Sequence, residues 1–516
     1  MSDKKSYYIT TPIYYVNDVP HIGHAYTTLA CDVLARFKRL DGYDVMFLTG
    51  TDEHGQKVEK SAEKAGVAPL EFCDRVSARF QDLAQAMNFS NDQFIRTTEE
   101  RHKISAQHLW NRIKENGFIY EDNYAGWYSV RDEAFYGEDE LTEGEGGSKL
   151  APTGAPVEWV EEPSYFFKLS AFQDKLLEVY ENHPDFVLPK SRLNEVKSFV
   201  AGGLQDLSIS RTTFNWGVPV PDADGHIMYV WIDALTNYLT AVDYPNENSE
   251  KFQKFWPANV HMVGKDILRF HAVYWPAFLL AADLPLPDRI FAHGWWTNEG
   301  QKISKSLGNV IDPFELIDTY TLDSVRFFLL REVPFGNDGD FSRTSFVNRC
   351  NSDLSNGFGN FAQRSLSMIF KNCDGKIPTP GALSAEDKAL LTGIEDVLPQ
   401  VRELMDKQAF NKAFDAIWSQ VAAADVYISA QEPWKLRKTD PARMETVLYV
   451  CAEAVRMLAI LMQPIMPESI DKLLGQMNID NRGFDQLTDA HRIKPGADLP
   501  KPEGVFPRFE HATDEA

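Results

Sequence analysis

Cysteine is scarce and poorly placed for metal or disulfide chemistry. Five occur in 516 residues, at Cys31, Cys73, Cys350, Cys373 and Cys451, an odd number without the close pairs of zinc sites or disulfide frameworks. They read as reduced thiols, most of them buried, in a cytoplasmic protein. Long apolar runs are missing too. No stretch reaches the length of a membrane span, and the N-terminal MSDKKSYYIT has no apolar core of the kind a secretory leader carries. No membrane partner is expected. Basic charge also falls short: 52 lysines and arginines face 75 acidic residues, a net charge of −23. That balance speaks against DNA and weighs against nucleic acid in general. A net charge is a global sum, however, and a folded RNA touches only one face. Lys435, Arg437 and Lys438 form one such local cluster.

What is present is ample for several cores. The length suggests roughly three domains, and the aromatic share of 12% is generous. Tyr7-Tyr8-Ile9-Thr10-Thr11-Pro12 reads as a buried strand, Tyr26 to Leu40 as a helix, and Asp44-Val45-Met46-Phe47-Leu48-Thr49 as a second strand. Strand–helix–strand opens a doubly wound parallel sheet. From about 118 the texture turns aromatic and acidic, and Glu143 to Gly147 reads as a hairpin tip. Sheet-like segments return at Ile227-Met228-Tyr229-Val230-Trp231 and His261-Met262-Val263-Gly264. Beyond about 346 the apolar spacing is helical. Leu390 to Met405 holds it over four turns, with Pro399 as a possible kink, and Phe414 to Val421 and Met444 to Leu458 repeat it. The expected fold is α/β: a doubly wound parallel nucleotide-binding sheet, interrupted by an inserted domain and followed by an α-helical bundle. The expected boundaries are 1–117 and 217–300 for the two halves of the sheet domain and 118–216 for the insertion. A loop region covers 301–345, and 346–516 holds the bundle with an irregular tail.

Two short words carry the chemistry. His21-Ile22-Gly23-His24 stands where the first strand ends and its helix begins, the edge at which open α/β sheets bind ligands. A helix N-terminus there offers free N–H groups to phosphate. Gly23 lets an adenine approach the backbone, and the two histidines, three apart, share a face. Far downstream, Lys302-Ile303-Ser304-Lys305-Ser306 places two mobile point charges among serines, suited to closing over a triphosphate. Alone, the first word is an ordinary helix start and the second a solvated basic loop. Gly357-Phe358-Gly359-Asn360-Phe361-Ala362 fits the dinucleotide pattern but follows no strand, and it is set aside.

Together, in this order, the two words resemble the paired signatures of class I aminoacyl-tRNA synthetases. The surrounding residues are similar to those of the methionyl family: TTPIYYVNDVPHIGH at 10–24, Thr49-Gly50-Thr51-Asp52-Glu53-His54-Gly55, Tyr229 to Ala234, and Lys265 to His271. The resemblance implies an ATP-dependent enzyme with Mg²⁺, joining L-methionine to its tRNA through methionyl-adenylate and initially the 2′-OH. It places catalysis on His21, His24, Lys302 and Lys305, with ATP also meeting Gly23, His293, Gly294 and Ile303. Asp52 would pair with the substrate ammonium. Ile13, Tyr15, Trp231, Ala234, Tyr238, Ile267, His271 and Trp275 would surround the side chain, a sensible set because aromatic edges favour a thioether. Tyr15 and His271 would supply the polar contacts of that slot.

In the helical region Asn356, Asn360 and Arg364 are spaced four apart, and a buried Trp418 contrasts with Trp434 beside Lys435 and Arg437. By the same resemblance Asn360, Arg364 and Trp434 read the anticodon, a task suited to stacking and edge hydrogen bonds. Many relatives fold the insertion around zinc held by cysteine pairs. Here Ser129 and Asp132 stand where thiolates would be, and Leu150 to Pro156 has no cysteine, so no zinc is expected. The aromatic run Tyr120, Tyr124, Trp127, Tyr128, Phe135 and Tyr136, with Trp159, Tyr165 and Phe166, is the expected replacement core. The chain ends soon after the bundle, and a monomer is expected. A synthetase for another apolar amino acid would need a larger editing insertion. A small nucleotidyltransferase would not need the bundle, and an inactive tRNA-binding relative would not need both words intact.

Overall fold

The computed structural model describes residues 4–16, 19–144, 147–303 and 308–511. The chain divides into two compact units, one of Ser6–Pro20 and Val45–His293, the other of Met1–Lys5, His21–Asp44 and Gly294–Ala516. Among the described residues no helix is long and apolar enough to cross a membrane.

The first unit is built on a seven-stranded sheet. Its strands are β1 (Ser6–Thr10), β2 (Tyr14–Tyr15), β3 (Asp44–Asp52), β4 (Gln93–Arg96), β8 (Val187–Leu188), β10 (Val260–Gly264) and β11 (Ile290–His293). The order runs β8-β11-β10-β1-β3-β2, with β4 on the free edge of β3. Pairing is parallel, with Ile9 opposite Val260, Gly264 opposite His293, and Tyr15 opposite Asp52. From Val45 to Asp52, β3 is buried without alternation, as a parallel strand covered on both faces requires. One expected strand is shorter than its apolar run. Only Ile227–Met228 is extended, and helix α3 (Val230–Leu235) begins two residues later. Periodicity cannot separate a short buried helix from a buried strand.

Between β4 and β10 an antiparallel sheet is inserted, made of β5 (Ile119–Ser129), β6 (Ala134–Tyr136), β7 (Glu158–Phe167) and β9 (Leu207–Ser208). Thr142–Glu143 and Lys149–Leu150 pair antiparallel; Glu145 and Gly146 of the expected hairpin tip lie outside the described residues. The aromatic core of this lobe differs in part from expectation. Tyr128 and Tyr165 are buried, but Trp159 is 53% exposed and meets Trp127 edge-on at 5.3 Å on the surface. In their place the buried Arg211 guanidinium lies 4.1 Å from the Phe135 ring and 5.0 Å from that of Tyr229.

In the second unit α1 (Ile22–Leu40) is joined to the helical region by buried charge. Arg326, on α4 (Leu322–Arg331), meets Asp32 at 2.6 Å and donates to the carbonyls of Pro464 and Ile465. The bundle comprises α5 (Gly359–Asn372), α6 (Ala385–Glu395), α7 (Val397–Asp406), α8 (Phe410–Gln431), α9 (Pro433–Thr439) and α10 (Pro441–Met462), followed by a helix at Pro467–Gln476. The single helix expected over 390–405 is two, broken at Asp396 and not at Pro399. Pro399 falls in the first turn of α7, where its missing N–H costs nothing. Helix α10 is buried all round from Thr446 to Met462, the mark of a central helix and not of an amphipathic one.

Candidate active site

The residues expected around a methionine side chain come together in the first unit. Trp231 and Ala234 lie on α3, Tyr238 one turn beyond, and Ile267, His271 and Trp275 on the segment after β10; Ile13, Tyr15 and Ile267 pack partly buried against the same core. Trp231 stacks face to face on Phe270 at 3.7 Å and meets His271 edge-on at 6.1 Å. Phe270 was not among the expected residues, although it adjoins His271 in a quoted segment.

His271 departs from its expected role. Its Nδ1 faces the Ile267 carbonyl at 3.0 Å and its Nε2 lies 2.7 Å from the Tyr238 hydroxyl. A carbonyl can only accept, so Nδ1 carries the proton and Nε2 receives Tyr238. Burial holds the ring's pKa down at about 4, hence neutral. With both nitrogens engaged, His271 is a wall and not a free polar contact. Trp275 is fully buried and donates to His261 at 3.3 Å. Among the described residues three buried polar atoms of the pocket set have no hydrogen-bond partner: Tyr15 Oη, Asp52 Oδ1 and Trp231 Nε1. Burial, then the nearby Asp233 carboxylate, pushes the Asp52 pKa well up, against a hydrogen bond from the His54 backbone.

In the second unit His21 is the N-cap of α1. Its Nδ1 accepts from the Gly23 N–H at 3.1 Å, and His24 Nδ1 accepts from the His21 N–H at 3.1 Å, a reciprocal capping box. Because Nδ1 is an acceptor on both rings, the proton sits on Nε2 of each. Burial and the neighbouring His21 push the His24 pKa well down. His24 is therefore a neutral donor and not a cation. A Cβ on Gly23 would stand 2.9 Å from the His21 ring, so glycine is what lets the cap close. Gly294 is equally constrained: a Cβ there would lie 2.2 Å from the Asn337 carbonyl oxygen. Its neighbour His293 ends β11 in the first unit and is buried. Lys302 lies exposed in the short strand Gln301–Lys302, and Ile303 follows it. Lys305, with Ser304 and Ser306, lies outside the described residues.

The second unit also carries the helical constellation. Arg364 on α5 sets its guanidinium 5.7 Å over the Trp434 ring and lies 3.4 Å from Asp425. Trp434 is 41% exposed. Asn360, one turn before Arg364, is exposed. Asn356 does not continue that face. Gly357 breaks the helix with ψ of −108°, and Asn356 opens onto a groove of about 520 Å³ with Asn351 and Arg508. Trp418 is half-buried, not buried, and donates to the Asp353 carbonyl at 3.2 Å. The glycine pattern at Gly357 to Ala362 spans the break at Gly357 and the start of α5, and it follows no strand.

Comparison with known proteins gives the family. Residues 7–366 match the family described as tRNA synthetases class I (M), and residues 377–516 match the anticodon binding domain of methionyl tRNA ligase. The chain belongs to the methionyl-tRNA synthetases. It is 56% identical over 514 residues to a methionine–tRNA ligase of Brucella suis, covering 99% of each chain. A methionine–tRNA ligase of Rhizobium meliloti is 56% identical over 511 residues, again 99% of each. The solved Mycobacterium tuberculosis methionyl-tRNA synthetase in complex with methionyl-adenylate superimposes with a TM-score of 0.95 at 53% identity, covering 98% of this chain and 100% of that one. Its apo form gives 0.89 at 50%, with 98% and 99% covered.

Within this methionyl-tRNA synthetase the loops at 129–136 and 150–156 are joined by hydrogen bonds. Ser129 Oγ accepts the Asp132 N–H at 3.2 Å, the Asp132 carboxylate receives Tyr136 and Thr153, and Arg131 reaches the Thr153 carbonyl at 2.9 Å. Among the described residues no group of three or more His, Cys, Asp or Glu could hold a metal ion. None of the five cysteines is in a disulfide; Cys373 is partly exposed and the other four are buried.

Proposed function

We propose that this methionine–tRNA ligase works by positioning and charge stabilisation on the residues above, with no covalent enzyme intermediate. ATP enters with its Mg²⁺ as substrate. A methionine carboxylate oxygen attacks the α-phosphorus, the bond to the bridging oxygen breaks, and pyrophosphate leaves with the electron pair. The attacking carboxylate is already ionised, so no strong base is needed. The 2′-OH of the tRNA's terminal adenosine then attacks the acyl carbon, loses its proton, and displaces AMP.

The observation that carries the substrate reading is the set of orphaned buried atoms. Leaving a polar group buried and unpaired costs about 1–3 kcal/mol each. An α-amino acid with an apolar side chain suits them, with its ammonium against Asp52 and its polar head near Tyr15 and Trp231. The side chain then runs along Ile13, Ala234, Tyr238, Ile267, His271 and Trp275. His21 and His24 present Nε2–H donors, and Gly23, His293, Gly294 and Ile303 frame the adenine. Lys302 and Lys305 neutralise the leaving phosphates. Asn360, Arg364 and Trp434 receive anticodon bases, Trp434 by stacking. The insertion is a separate lobe of the catalytic fold, and the protein is a cytoplasmic monomer without resident zinc.

ATP–pyrophosphate exchange driven in turn by methionine, isoleucine, leucine and valine tests the assignment. Methionine alone supports it. Asp52→Asn raises the methionine KM about ten- to hundredfold, the worth of a charged hydrogen bond, and leaves the ATP KM in place. Equal exchange with leucine, or an unchanged methionine KM, would overturn the reading.

A further inference from the structure

A buried cluster behind the pocket has no part in the mechanism above. Asp233, on α3 between Trp231 and Ala234, is wholly buried, and each of its oxygens faces a histidine. Oδ2 lies 2.7 Å from His54 Nδ1, and Oδ1 lies 2.7 Å from Nε2 of His102 on α2 (Glu100–Glu115). Burial alone would raise the Asp233 pKa, but the two histidines bring it down to about 2, so it is the anion.

The far side of His102 decides what this cluster can do. Its Nδ1 lies 3.1 Å from the Thr240 hydroxyl, which is also 3.1 Å from the Thr236 carbonyl. That hydroxyl has one proton to give. When it donates to His102, the imidazole is neutral. When it turns to Thr236, His102 donates from both nitrogens and is a cation. Both states are fully hydrogen-bonded, and no heavy atom moves between them. The cluster is joined to the pocket through His54, whose backbone N–H holds the Asp52 carboxylate.

Asp52 is crowded by acids. Asp233, Glu133 and Glu53 all face it, with Lys57 nearby. Glu53 is held by Arg96 at 2.6 Å, and Glu133 by the Tyr128 hydroxyl and the Lys57 N–H. Neighbouring buried carboxylates do not ionise together cheaply. An incoming ammonium reverses that balance, because it stabilises the Asp52 anion and drives off the carboxyl proton.

We propose that His102, backed by Asp233 and Thr240, retains the proton that Asp52 gives up when methionine binds. The inference rests on Asp52 as the ammonium partner. The Asp52 O–H bond breaks and an N–H bond forms on His102, so no proton is lost to solvent. Asp52 gains one negative charge as the Asp233–histidine cluster loses one. The low-dielectric pocket keeps its total charge, and methionine affinity becomes insensitive to pH near neutrality.

Calorimetric titration of the full-length protein with L-methionine, in buffers of equal pH and different ionisation enthalpy, counts released protons. The wild-type protein releases almost none. His102→Gln, which keeps a donor to Asp233 but cannot be protonated, releases about one proton per methionine, and its methionine KM falls about tenfold per pH unit gained near neutrality. Thr240→Val removes the acceptor that the cationic ring needs and gives the same result, which secures the test should the glutamine variant not fold. A purely structural role for the cluster would lower stability or raise KM without adding this pH slope. Proton release equal in wild type and variants would overturn the proposal. If Asp52→Asn leaves methionine binding intact, the fault lies in the Asp52 reading instead.

Discussion

At the scale of single residues, hydrogen bonds decide which form of a side chain the substrate meets. The spacing of His21 and His24 was legible in the sequence, since residues three apart on a helix share a face. Their tautomers were not, because these follow from backbone N–H groups that point at Nδ1 only once the N-cap has formed. The consequence is testable at His24. Asparagine there can still accept the His21 N–H through its carbonyl oxygen, but it has no counterpart of Nε2–H. His24→Asn should keep its melting temperature within a few degrees and lose about two to three orders of magnitude in the rate of methionine activation. The lowered His24 pKa also gives a sign. The ring is neutral throughout the neutral range, so no activity limb from its titration should appear as pH rises from 6 to 8. A rate held by His24→Asn would remove the ring from the mechanism, and a limb that vanishes with it would show that the imidazole acts as a cation.

At the scale of elements, a helix end places the exposed tryptophan. Glu432 closes α8 in a left-handed conformation with φ of 45°, and Pro433 opens α9 at its first position, which sets Trp434 over Arg364. The aromatic word and the four-residue spacing of Asn360 and Arg364 could be read from the chain. The exclusion of Asn356 from that face could not, because the break at Gly357 depends on local backbone geometry that spacing does not encode. Trp434→Ala should reduce tRNA charging by the worth of one stacked base, about 1–3 kcal/mol. Methionine-dependent pyrophosphate exchange should stay near the wild-type rate. A parallel loss of both activities, with a lower melting temperature, would mark Trp434 as a packing residue of the bundle.

At the scale of the whole molecule, the insertion must hold its loops without thiolates. Thr153 and Asp132 join the two loops, and Arg211 fills the aromatic centre that sequence alone assigned to a longer list of rings. Structural zinc can supply much of a small lobe's folding energy; on the proposal that none resides here, hydrogen bonds and a cation among aromatic faces stand in that place. Elemental analysis of the purified protein should find no stoichiometric zinc. Chelation followed by restored Mg²⁺ should leave activity intact. One zinc per chain, lost together with activity, would contradict this.

The sequence by itself determined the α/β class, the order of strand, insertion and bundle, and the family, because these rest on short-range periodicity and on words of adjacent residues. Tertiary structure alone decided which groups share a proton or a partner. His54 and His102 meet Asp233 across 179 and 131 residues of chain. His271 Nε2 receives the Tyr238 hydroxyl from 33 residues away, and Arg326 reaches Asp32 from 294 residues away. No local pattern encodes such pairs. They form because burial removes water, and each polar atom must then find its partner wherever the fold has brought one within reach.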